Sequence, residues 1–118
     1  MENPQPTKGA APLPIEINVL EAKRLVEASP NTVLLDIREP IEVSACTIAG
    51  ARHIPMGEVP LSWNSLPKDT RLLVYCHHGR RSLMVTQFLR QHGLDLAQSI
   101  SGGIDAWSRE IDSSVPRY

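Results

Sequence analysis

The stretch Tyr75-Cys76-His77-His78-Gly79-Arg80-Arg81-Ser82 gathers a thiol, two imidazoles, two guanidiniums and a hydroxyl into one short segment. A cysteine in such company is a candidate nucleophile, because nearby cations and unpaired amides favour the thiolate, which is the reactive form. Cys76 is the candidate catalytic residue. His77, His78, Gly79, Arg80, Arg81 and Ser82 are the candidate ligand-binding residues around it. Gly79 lets the chain curl so that successive amides face inward as a nest for an anion or for a sulfur carried on the cysteine. The competing reading is a cysteine that ends a strand and is followed by a solvated basic turn. His77 and His78 invite a metal, but consecutive residues in a tight loop do not easily converge on one ion, so no metal is expected. They are read as rim residues. Asp36 is either a general base or a structural partner of Arg38; a ready thiolate needs little proton abstraction, so Asp36 and Arg38 are taken as supporting residues. Cys46 is read as a packed residue, and a resolving role would require it to lie near Cys76.

The elements that must position this loop follow from the apolar pattern. Arg71 to Tyr75 and Val33 to Ile37 are continuous apolar runs, the mark of strands covered on both faces. Cys76 to Arg81 reads as a loop, and Ser82 to His92 as a helix with Met84, Val85, Phe88 and Leu89 on one face and Gly93 as its stop. Ligands of open α/β sheets bind at the carboxyl ends of strands, which is where Cys76 falls. Ile15 to Ile17 reads as a short strand. Asn18 caps a helix to about Ser29, with Glu21 completing a capping box and Leu20 and Val26 on its apolar face. Glu42 to Ala45 begins a short helix with Pro40 near its start, and Ala51 to Ile54 is a weaker strand. Met56 to Pro67 is turn-rich. Leu96 to Ile100 is a last strand, and Ser101-Gly102-Gly103 leads into a helix through Trp107 and Ile111. Trp63 and Trp107 are core or rim residues. Alternating strands and helices predict an α/β fold: three layers, α/β/α, around a mainly parallel sheet of about five strands.

The composition allows this and excludes much else. The chain has 118 residues, 42 % hydrophobic and 21 % charged, enough for one core. We divide it into a flexible lead, residues 1–14, and a single domain, residues 15–118. The lead holds four prolines and no apolar stretch of the kind a secretory signal needs. A net charge of −1 provides no general field for nucleic acid or an anionic membrane, and no apolar run approaches the ~20 residues that cross a bilayer. Two cysteines without a C-x-x-C spacing suggest neither a disulfide scaffold nor a zinc knuckle. The expectation is a cytoplasmic protein with no cofactor.

Cys76, Gly79, Arg81 and Ser82 match C-x-x-G-x-R-S position by position, and here the sequence resembles the rhodanese-like domain family. Asp36-Ile37-Arg38-Glu39-Pro40 with Glu42 is similar to the family's D-x-R-x-x-x-E. Ile48-Ala49-Gly50-Ala51 with His53-Ile54-Pro55 resembles its I-x-G-A-x-x-I-P, and Gly102-Gly103 with Trp107 resembles its G-G-x-x-x-W. The likeness runs from about Ile17 to Ile111. It implies a sulfurtransferase in which Cys76 takes sulfane sulfur from a donor such as thiosulfate, holds it as a persulfide, and passes it to cyanide or a thiol. It further implies that the amides of His77 to Ser82 bind the transferred sulfur and that Arg81 and Arg80 orient the donor anion. The partners expected are this small-molecule donor, the acceptor and a sulfur-relay protein. One departure is Cys46-Thr47-Ile48 where members commonly carry G-H-I. Two rivals stand beside this reading. One is a binding or redox-sensor module. The other is a cysteine phosphatase or arsenate reductase, whose C-x5-R pattern puts arginine at the sixth position after cysteine, whereas here it falls at the fifth.

Overall fold

The structure, a computed structural model, describes residues 12–118. Most of the 1–14 lead therefore lies outside the described residues. Leu13 and Pro14, which the sequence assigns to that flexible lead, are held: Arg90 donates to both of their carbonyls, at 2.9 and 3.0 Å, and Gln98 donates to that of Pro14.

Five parallel strands form one sheet in the order β1-β5-β4-β2-β3: β1 Glu16–Ile17, β2 Val33–Asp36, β3 Arg52–His53, β4 Leu72–Tyr75 and β5 Ala97–Ile100. The continuous apolar runs occupy its centre. β4 lies between β5 and β2, and β2 between β4 and β3. Alternate residues serve opposite faces. Leu34, Leu73, Tyr75 and Ile100 pack with α1 (Val19–Ala28) and α5 (Gly103–Glu110). Leu35, Leu72, Val74 and Ala97 pack with α4 (Arg80–Gln91) and the 56–66 segment. This is the expected three-layer arrangement. The weak strand β3 is an exposed edge, as its polar Arg52-His53 pair allows.

Details depart from the sequence reading. Asn18 does cap α1, its side chain accepting from the Glu21 amide at 2.9 Å, but the Glu21 carboxylate turns to Arg24 and the capping box stays half formed. The buried face of α1 is Val19, Ala22 and Leu25, spaced by three, which leaves Leu20 61 % exposed. Likewise Val85, Leu89, Ser82 and Thr86 are the buried residues of α4, and Met84 faces outward. A capping box does form where none was expected, between Glu39 and Glu42 at the start of α2 (Pro40–Ala45). The turn-rich segment coils tightly instead of wandering: a 3-10 turn over Met56–Glu58, a single α-turn, α3 (Val59–Ser62), and another 3-10 turn over Trp63–Ser65. Gly93 ends α4 at φ +89°, with the Leu94 amide bonded back to the Leu89 carbonyl. No described helix is long and apolar enough to cross a membrane.

Candidate functional site

The thiol of Cys76 lies at the carboxyl end of β4, at the floor of the turn into α4, and the residue is 1 % exposed. The helix starts two residues earlier than the periodicity predicts. Gly79 is its N-cap at φ +105°, a left-handed conformation that a Cβ makes costly, and Arg80 and Arg81 sit in its first turn. Two backbone amides aim at the sulfur: Gly79 N–H donates to Sγ at 3.1 Å and Ser82 N–H at 3.4 Å. These are the orphan donors of a helix start, put to use on a sulfur. Of the loop amides expected around the sulfur, these are the two that bond Sγ itself. The Ser82 hydroxyl stands 3.5 Å from Sγ, donates to the Gly79 carbonyl at 3.1 Å, and pairs with the buried Ser99 hydroxyl at 2.7 Å. Ser99 thereby fixes the serine beside the Cys76 sulfur.

The loop's amides face inward because its carbonyls are held outward. The carbonyls of Cys76 and His77 accept from the Ile104 and Asp105 amides, at 2.9 and 3.1 Å. Both donors lie in the first turn of α5, so a second helix start backs the loop. Gly103 makes that approach possible. It has φ +59°, and a Cβ there would stand 2.5 Å from both carbonyl oxygens.

The two arginines do different things. Arg80 is exposed. Arg81, expected to orient an anion, is gripped by Glu42 through two hydrogen bonds of 2.7 and 2.8 Å. This bidentate pairing, foremost the hydrogen bond from Arg81, pulls the Glu42 carboxyl down to about 2. Glu42 also accepts from the Tyr118 hydroxyl at 2.7 Å.

Beneath lies a buried polar network. Arg38 donates twice to Asp36, from Nε at 3.0 Å and from a terminal nitrogen at 2.8 Å, with both side chains essentially out of solvent. Arg38 also donates to the Cys46 carbonyl at 2.7 Å and to the Tyr118 hydroxyl at 2.9 Å. Burial opposes its charge, but Asp36 and Tyr118 outweigh that and raise its pKa further. The Tyr75 hydroxyl donates to Asp36 at 2.8 Å, and burial first, then the Asp36 charge, push that phenol up to about 12. Asp36 thus accepts from the Arg38 amide, the Arg38 guanidinium and the Tyr75 hydroxyl. Cys46 is buried, its sulfur 3.9 Å from an Arg38 nitrogen. Thr47, which stands where histidine is commonly found, lies 3.4 Å from the Tyr75 hydroxyl.

His77 and His78 do converge. Their rings are 3.8 Å apart, and with Asp105 they place three donor atoms within 4.8 Å of one another. Asp105 is already shared by Arg109 and Arg117, at 3.0 Å each, which sets positive charge where a cation would bind. Burial, and then His78, lower the pKa of His77, so its imidazole is neutral near pH 7.

Glu42 stood in a motif but was given no role, and its spacing from Asp36 and Arg38 was the available signal. Ser99, Tyr75 and Tyr118 were not assigned to the site at all. Ser99 and Tyr75 read as ordinary strand residues, and Tyr118 lies beyond every motif.

The sequence profile described as Rhodanese-like domain matches residues 18–110. A sulfurtransferase of Allochromatium vinosum is 32 % identical over 96 residues, covering 79 % of this chain and 90 % of its own. A thiosulfate sulfurtransferase, GlpE, of Tolumonas auensis is 33 % identical over 91 residues, covering 77 % and 85 %. Among solved structures, a rhodanese-related protein of Thermoplasma volcanium superposes with a TM-score of 0.74 at 33 % identity, over 81 % of this chain and 92 % of the other. The human single-domain sulfurtransferase TSTD1 does so with 0.74 at 27 %, over 82 % and 97 %.

Proposed function

Because the chain belongs to the rhodanese-like domain family, we propose that it is a sulfurtransferase that carries sulfane sulfur as a persulfide on Cys76. One observation carries this reading: two amide donors converge on the Cys76 sulfur in a loop held from behind by the start of α5. The thiolate attacks the outer sulfur of thiosulfate. A new S–S bond forms to Cys76, the old S–S bond breaks, and its electron pair leaves on sulfite. Cyanide or a thiolate then attacks the terminal sulfur, and the pair of the breaking bond returns to Cys76. The Gly79 and Ser82 amides stabilise the anionic sulfur in both states. No cofactor enters this scheme. The name of the Tolumonas auensis relative supports thiosulfate as donor. The two cysteines are free thiols, as a reducing cytoplasm would keep them. Residues 15–118 act as one unit, serving a small donor, a thiol or cyanide acceptor, and a sulfur-relay protein.

Against phosphate chemistry stands Arg81. A phosphoryl group needs an arginine free to hold two oxygens, and here both of its bonds go to Glu42. The test is the intact mass after incubation with thiosulfate. A gain of one sulfur atom, lost on adding cyanide, is expected, with negligible hydrolysis of a small aryl phosphate by the same preparation. Phosphatase turnover without sulfur gain would overturn the reading. An oxidised Cys76 without sulfur gain would favour a redox sensor.

A further inference from the structure

We infer that Tyr118 determines specificity at this site, setting the size of the sulfur donor that reaches Cys76. The inference rests on the sulfur-transfer reading and deepens it. After α5 the chain folds back over the loop and is tied down in three places. The buried Val115 packs into the core and its carbonyl accepts from the Ser108 hydroxyl. Arg117 donates to Asp105 at 3.0 Å. Tyr118 then reaches both sides of the catalytic turn. Its ring lies flat on His77, with centroids 3.9 Å apart and planes 8° from parallel. Its hydroxyl accepts from Arg38 at 2.9 Å and donates to Glu42 at 2.7 Å, the carboxylate that grips Arg81.

A side chain that stacks on the residue after Cys76 and hydrogen-bonds the partner of Arg81 spans the space between those two walls. Cys76, next in the chain to the stacked His77, is itself 1 % exposed. The phenol is a crossbar: a compact inorganic donor passes beside it, while a peptide-sized persulfide must displace it. Displacement is feasible, because Tyr118 is 44 % exposed and two hydroxyl hydrogen bonds and one ring stack are what hold its side chain.

The experiment uses the Cys46→Ser chain, so that Cys76 is the one thiol, and compares iodoacetamide with an iodoacetamide carrying a fluorescein. Tyr118→Ala should raise the rate for the bulky reagent relative to the small one, because the side chain that closes the approach is gone. Tyr118→Phe keeps the stack, loses both hydroxyl bonds, and should fall between. The ratio of transfer from glutathione persulfide to transfer from thiosulfate should rise in the same order. An unchanged ratio in folded Tyr118→Ala, or equal acceleration of both reagents, overturns the crossbar, since general loosening would not discriminate by size. Alkylation does not require sulfur transfer. A shifted ratio without persulfide formation would sink the proposed reaction alone, and persulfide formation with an unshifted ratio would sink the crossbar alone.

Discussion

Gly103→Ala should uncouple the Cys76 turn from the helix that backs it. The added Cβ would sit 2.5 Å from the Cys76 and His77 oxygens and 2.6 Å from the His77 carbonyl carbon. Ordinary carbon–oxygen contacts begin near ~3.3 Å, so the turn must retreat by roughly 0.8 Å. The Ile104 and Asp105 amides, now 2.9 and 3.1 Å from those oxygens, would then lie beyond good hydrogen-bond range. Losing both bonds costs about 2 kcal/mol, and holding alanine at φ +59° adds about 1–2 kcal/mol. A total near 3–4 kcal/mol lowers Tm by about 12–16 °C for a domain of this size. It leaves the protein folded if its stability lies in the ordinary range of about 5–15 kcal/mol. The same shift carries the Gly79 and Ser82 amides off the sulfur, and a displacement approaching 1 Å costs up to about 100-fold in rate. The control is Gly102→Ala, at φ +79°, whose Cβ would meet the Ala106 Cβ at 2.6 Å, inside α5, and neither the Cys76 nor the His77 carbonyl. Both variants should lose comparable stability by thermal melting. Only Gly103→Ala should lose thiosulfate–cyanide turnover per folded molecule, by about 10–100-fold. A folded Gly103→Ala enzyme with the parent rate, or an equal loss in both variants, would refute the claim that α5 sets the cradle.

Cys76→Ser should abolish sulfur uptake in the mass assay while keeping the fold, because a hydroxyl is a far weaker nucleophile for sulfur; Cys46→Ser should retain most activity. Arg81→Ala should depress kcat/KM for dianionic thiosulfate more than for a neutral persulfide, because it strands the Glu42 carboxylate beside the site, and adding Glu42→Gln should recover part of the loss. Equal loss with both donors would mean that Arg81 only shapes the turn. Glu42 also makes a pH prediction: its folded pKa of about 2 lies below the unfolded 4.5, so its stabilisation is complete above pH 4.5 and fades as pH falls towards 2. Discounted for the part-exposed arginine it amounts to about 2 kcal/mol, so the urea-unfolding gap between the parent protein and Glu42→Gln should be widest near pH 7 and narrow steadily below pH 4.

What was legible in the sequence was whatever one element settles by itself. Val33–Asp36 and Leu72–Tyr75 announce interior strands because both faces of each must be covered, and Gly93 announces a stop because little else takes its φ. Errors arose where a neighbouring element chose between two nearly equal faces. Leu20 and Met84 are at least as apolar as the residues buried in their place, and only the position of the sheet decides that Ala22 and Thr86 turn inward. The start of α4 was misplaced for a similar reason: Arg80 and Arg81 look like loop residues, but Gly79 in the left-handed region lets the helix begin directly after it.

The site divides along the same line. Cys76, Gly79 and Ser82 are close in the chain, and their meeting around the sulfur can be read from their order. The groups that make the turn rigid come from elsewhere: Ser99 from β5, Gly103 and its following amides from α5, Glu42 from α2. Each is long-range: Glu42 and Gly103 stand in motifs and Ser99 does not, but nothing local in the chain shows that any of them holds the turn. Arg81 shows the consequence. Taken locally it is a free cation aimed at an anion, yet the fold delivers Glu42 to it from 39 positions away and gives both of its hydrogen bonds to a carboxylate. What bonds the sulfur directly is a pair of backbone amides, and their position depends on how α5 holds the turn.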